Sequence, residues 1–157
     1  MLYNFIFFAS LIFGTNLSLA AEAPPFSLTA INLKERINLS DYQGQTIILD
    51  FWASWCAPCL SSLPVYQTWH DAGKVQVVSI NVDDDLKDAI AMIKALNLSF
   101  PVAYDYDKSV AKLFDVYALP VAFLIDKNGT IKLRHEGYKS TDATQLLQRI
   151  QKINSIH

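Results

Sequence analysis

Cys56 and Cys59 are the two cysteines of this 157-residue chain, and only Ala57 and Pro58 lie between them. A thiolate is the nucleophile in thiol–disulfide exchange, so a working cysteine needs a depressed pKa and access to its substrate. A bridge that closes so short a loop constrains little unfolded-chain entropy, which makes redox chemistry a better account of the pair than a structural staple. A zinc half-site would need two more ligands, and His70, His135 and His157 show no ligand spacing to one another, so no metal is expected. The apolar run 46–52 reads as a strand buried on both faces, and a helical pattern runs from Cys56 to about Trp69. Cys56 then stands at a strand-to-helix junction, where unpaired N–H groups and the positive end of the helix dipole favour the anion. Cys59, one turn later on the same side, is placed to resolve a mixed disulfide. Pro58 suits the first turn of that helix, and Pro64 falls inside it and is expected to kink it.

Other residues near the pair have uneven claims. Asp50 lies within the apolar run, where an unpaired carboxylate is costly. It is either a buried acid of raised pKa, suited to proton transfer, or a strand-end acid that reaches water. Trp52 reads as packing, and Trp55 as apolar surface around the exposed sulfur. The run Asp83-Asp84-Asp85 reads as a solvated turn and helix cap rather than a cation site.

The elements that must hold these residues follow from punctuation and periodicity. Residues 1–21 carry no charge and include an apolar run up to Phe13, with Ser18 and Ala20 at the −3 and −1 positions of a cleavage site. Residues 1–20 are read as a signal peptide, with an uncleaved anchor as the alternative; the missing basic residue before the apolar run is atypical. Residues 21–25 read as a linker, and 26–157 as one domain. Two short alternating runs, 26–29 and 37–39, suggest an N-terminal hairpin or extended flap. Strands at 74–82, 100–104, 121–125 and 130–134 and helices at 86–96, 108–114 and 141–153 complete a β-α-β-α-β-α-β-β-α order, with Asn128-Gly129 as a hairpin turn. That order describes an α/β fold, a mixed central sheet with helices on both faces. The net charge of −2 gives no footing for nucleic acid.

The stretch Phe51-Trp52-Ala53-Ser54-Trp55-Cys56-Ala57-Pro58-Cys59, with Pro64 five residues further on, resembles the active-site segment of the thioredoxin superfamily. Its wider pattern is similar to the exported TlpA/ResA-like branch: Phe26-Ser27-Leu28, residues 39–44, Ile80-Asn81-Val82-Asp83, Phe100-Pro101-Val102 and Leu119-Pro120 before residues 123–126. The resemblance covers about 26 to 138 and implies a thioredoxin-like fold with an N-terminal hairpin extension and a central insertion at roughly 86 to 104. It implies that Pro120 is a cis-proline beside the cysteines, that the backbone at Leu119 pairs with a substrate strand, and that Asp50 accepts the proton of the resolving cysteine. Two departures stand out: the Glu common in this branch three residues after the second cysteine is Ser62, and thioredoxin's buried lysine aligns with Ser79.

What the resemblance implies for function is an extracytoplasmic thiol:disulfide oxidoreductase that reduces protein disulfides as a monomer. Electrons would come from a membrane thiol reductase, apocytochrome c cysteines are among the implied targets, and no cofactor is needed beyond the Cys56–Cys59 couple. A peroxiredoxin-like peroxidase is a second reading, although Ala53 stands where the peroxidatic cysteine usually has a Thr or Ser at −3. A thiol oxidant of the same fold is a third. The Ala57-Pro58 dipeptide offers neither a charge nor a histidine to favour the thiolate strongly. A binding domain without catalysis would need no paired thiols.

Overall fold

The computed structural model describes residues 21–155, so the leader expected at 1–20 and His157 lie outside the described residues. Strand β3 (Ile47–Trp52) is buried along its whole length. It pairs in parallel with β4 (Gln76–Asn81) and antiparallel with β6 (Val121–Ile125). Beyond β4 lies the parallel β5 (Val102–Tyr104), and beyond β6 the antiparallel β7 (Ile131–Glu136). The N-terminal hairpin, β1 (Ser27–Ala30) with β2 (Arg36–Asn38), joins the sheet through antiparallel pairing of β1 with β5. The sheet order is β2-β1-β5-β4-β3-β6-β7.

Alternation along β3 feeds two core layers. Ile47, Leu49 and Phe51 enter the first, with Phe26, Phe114 and Phe123, beneath the short helix α3 (Ser109–Leu113). Phe51, Phe114 and Phe123 form an aromatic triangle with ring centroids 5.2–5.9 Å apart. Ile48 and Trp52 enter the second layer with Leu63, Tyr66 and Trp69 of α1 (Ala57–Asp71) and Leu146 and Ile150 of α4 (Asp142–Ser155). Ile93 of α2 (Leu86–Ala95), the helix between β4 and β5, joins the same layer. Each such side chain, once fully buried, contributes about 1.5–3 kcal/mol.

Two local readings, at residues 21–25 and at Asp83, differ from expectation. Residues 21–25, read as a linker, are tied to the β6–β7 turn: the Ala23 amide donates to the Gly129 carbonyl (2.8 Å) and the Ile131 amide to Ala21 (2.9 Å). Pro64 lies inside the continuous α1; its missing N–H deprives the Leu60 carbonyl of a helical donor, and the Thr68 hydroxyl bonds back to the Pro64 carbonyl (3.0 Å). The acidic run at 83–85 divides. Asp85 caps α2 through the Lys87 amide (2.9 Å), and exposed Asp84 pairs with Lys108. Asp83, expected in solvent, is 1% exposed because it turns back under residues 53–55.

The β6–β7 turn is built as expected around Asn128-Gly129, with Gly129 at φ +83°. Asp126 organises it by accepting the amides of Asn128 (2.9 Å) and Thr130 (3.0 Å) and pairing with Lys132 (3.0 Å).

Candidate active site

Strand β3 ends at Trp52, and the chain turns through Ala53, Ser54 and Trp55 into α1, with Cys56 as the N-cap residue. Cys56 and Cys59 form a disulfide with their Cα atoms 5.3 Å apart. The Cys59 amide donates to Cys56 Sγ (3.3 Å), so one N–H of the first helical turn already points at that sulfur. When the bond is reduced, the same donor and the helix dipole favour a thiolate on Cys56. Access is unequal: Cys56 is 5% exposed and Cys59 0%, which leaves Cys56 as the sulfur an incoming partner can reach. Ser62, standing where an acid was expected by resemblance, is buried and donates to the Cys59 carbonyl (3.0 Å).

Asp50 is 0% exposed, which removes the reading of a strand-end acid in contact with water. Both of its oxygens are without a hydrogen-bond partner, and burial pushes its carboxyl well above the ordinary range. Its neighbour across the parallel pairing is Ser79, whose hydroxyl accepts from the Trp52 indole (3.1 Å). No cation stands where thioredoxin places its lysine, so Asp50 has no ion partner from that position. Trp52 is fully buried as packing, whereas Trp55 is 71% exposed at the mouth of the site.

Pro120 reaches the same end of the sheet at the start of β6, with the Leu119–Pro120 peptide bond cis. The Pro120 carbonyl takes the Gly137 amide (2.8 Å), while Leu119 enters no backbone hydrogen bond among the described residues. Leu119 therefore offers a short unpaired edge beside Trp55, the geometry by which an extended segment adds to a sheet.

Sequence reasoning missed Asp83. Its carboxylate accepts the Ser54 amide (3.0 and 3.1 Å), the Ser54 hydroxyl (2.9 Å) and the Asn81 side-chain amide (2.7 Å), so it holds the turn that leads into Cys56. The available signal was its place directly behind the strand pattern 80–82, which points inward rather than to a loop. Among the described residues no three His, Cys, Asp or Glu side chains converge as a metal site would require, and no helix is long and apolar enough to cross a membrane.

A redox-capable pair capping a helix, a cis-proline loop beside it and a buried acid beneath it define a thioredoxin-like site. The AhpC/TSA family model matches residues 19–134, and the chain belongs to that family. Among curated proteins it is similar to the thiol-disulfide oxidoreductase ResA of Bacillus thuringiensis subsp. konkukian, 31% identical over 141 residues that cover 87% of this chain and 79% of the relative. ResA of Bacillus subtilis is 34% identical over 134 residues, covering 83% and 72%. Among solved structures, a Chlorobium tepidum protein assigned as the thiol:disulfide interchange protein DsbE superposes with TM-score 0.79 at 36% identity, covering 85% of this chain and 96% of its own. StoA of Bacillus subtilis superposes at 0.68 with 30% identity, covering 82% and 97%. Like these relatives, the chain is a thiol-disulfide oxidoreductase of thioredoxin-like fold.

Proposed function

We propose that this protein works as a monomeric reductant of protein disulfides outside the cytoplasm, with Cys56 as nucleophile, Cys59 as resolving thiol and Asp50 as its proton acceptor. The observation that carries the reading is the asymmetry of the pair: Cys56 keeps a small exposed surface at the helix N-terminus and accepts the Cys59 amide, whereas Cys59 is sealed in the core. The Cys56 thiolate attacks a substrate disulfide, forming a mixed disulfide and expelling one substrate thiolate. Asp50, ionised above its raised pKa, takes the proton of Cys59, which attacks Cys56 Sγ, releases the second substrate thiolate and leaves the intramolecular disulfide. Two electrons pass to the substrate, and no cofactor takes part. A membrane dithiol donor then resets the pair. Residues 1–20 fit an export signal or anchor, which supports that location.

The deciding measurement is the reduction potential of the Cys56/Cys59 couple in defined thiol buffers, read by tryptophan fluorescence. A value near about −270 mV is expected for a reductant, and one near about −120 mV would make the protein an oxidant. The family match keeps a peroxide-reducing reading in view, against which Ala53 still stands at −3. Peroxide consumption that depends on Cys56 alone and survives Cys59→Ser would favour it.

A further inference from the structure

A cleft of about 290 Å³ opens between Trp55 and Leu119, the residues that flank the disulfide, and helix α3. Val116 and Tyr117 line it with them, and its charged lining residues, Lys108 and Lys112, are both cations. Its volume lies just below the range of about 300–1,000 Å³ usual for small-molecule pockets, which suits one large side chain better than a cofactor.

The walls are held in place before anything binds. Arg134 donates to the Phe114 and Asp115 carbonyls (2.9 Å each), and the Val116 amide bonds to Ala111 (2.8 Å), which fixes the loop that carries Tyr117. Tyr117 is 82% exposed and Trp55 71%, so two large aromatic surfaces are kept in water beside the reacting sulfur. Rigid, exposed aromatics of this kind are common anchors of protein interfaces. The two lysines differ. Lys108 is answered by Asp84, whereas Lys112 forms no ion pair among the described residues.

We propose that this cleft selects substrates by the residues next to their cysteine: a large apolar side chain enters between Trp55 and Tyr117, and a neighbouring carboxylate meets Lys112. The inference rests on the reading of the site as a reductant of protein disulfides and names the class of protein it prefers. The occupant is continuous with the unpaired edge at Leu119, so one extended segment can lie along that edge and place its next side chain in the cleft.

The test uses the reduced protein and three disulfide-linked peptide substrates whose cysteine is followed by Leu-Asp, Leu-Lys or Ser-Asp, with kcat/KM measured for each. The wild type is expected to favour Leu-Asp over Leu-Lys by about fivefold, the scale of a part-exposed ion pair. It is expected to favour Leu-Asp over Ser-Asp by about tenfold or more. Lys112→Glu reverses the first ratio and keeps the second, and Lys112→Gln brings the first ratio close to one. Equal Leu-Asp to Leu-Lys ratios in wild type and Lys112→Glu, or equal turnover of the Leu-Asp and Ser-Asp peptides, overturn the proposal. Reduction of oxidised 2-mercaptoethanol by the wild type separates the two levels. If that small disulfide is reduced while the peptides show no preference, the cleft assignment alone falls; if it is not reduced, the reductant reading falls with it.

Discussion

The carboxyl of Asp50 couples the layer beneath the disulfide to pH. Burial raises its pKa, so the folded chain keeps a proton that the unfolded chain releases above about pH 3.9. Stability therefore falls as pH rises from the ordinary carboxylate range to the raised value, and stays level above it. Asp50→Asn should remove this slope: its melting temperature matches the wild type's near pH 3 and exceeds it at pH 7. Thermal melts across that range check it, and parallel curves would contradict a buried neutral acid. The same variant should slow release of the mixed disulfide by roughly 10²-fold in stopped-flow assays, the usual scale of a lost general base. At Asp83 the expected effect has the opposite sign. Asp83→Asn replaces one acceptor with a donor facing the Ser54 and Asn81 N–H groups, and urea unfolding should show a loss of about 1–3 kcal/mol.

Strand β3 and helix α1 could be read from the chain because their signals are local: an unbroken apolar run, a proline in the first helical turn, and buried positions Cys59, Ser62, Leu63, Tyr66 and Trp69 at helical spacing. The cysteine pair was legible for the same reason. Asp83 was not, because three consecutive acids look like a surface turn until the Ser54 amide is found beneath the first of them. The Lys112 cleft was also hidden, since its walls come from residues 55, 82 and 108–119, which only the sheet brings together. The β6–β7 hairpin was visible through Asn128-Gly129, but its dependence on Asp126 was not. Burial works against the Asp126 carboxylate, yet the Thr130 amide, Lys132 and the Asn128 amide together hold its pKa below the ordinary value. That contribution is present above the ordinary carboxylate range and is lost as pH falls through the depressed value. Asp126→Ala should cost about 1–3 kcal/mol at pH 7 and progressively less in acid, as read by urea unfolding at several pH values.

The architecture has two poles. The C-terminal end of β3, the start of β6 and the N-terminus of α1 gather the disulfide, Trp55 and the Leu119–Pro120 bend at one of them. At the other, Ile47 is paired with Ile125, and the β6–β7 turn receives residues 21–23. Six residues of strand separate the two, about 20 Å at 3.3 Å per residue. Ala21, the first described residue, therefore lies on the side facing away from the sulfurs. A bead or carrier joined directly at residue 21 is therefore attached to the face opposite the disulfide and leaves the reactive end free to meet a partner. Fixed to a solid support through residue 21, the domain should reduce an insulin-sized disulfide substrate as fast per molecule as it does free in solution.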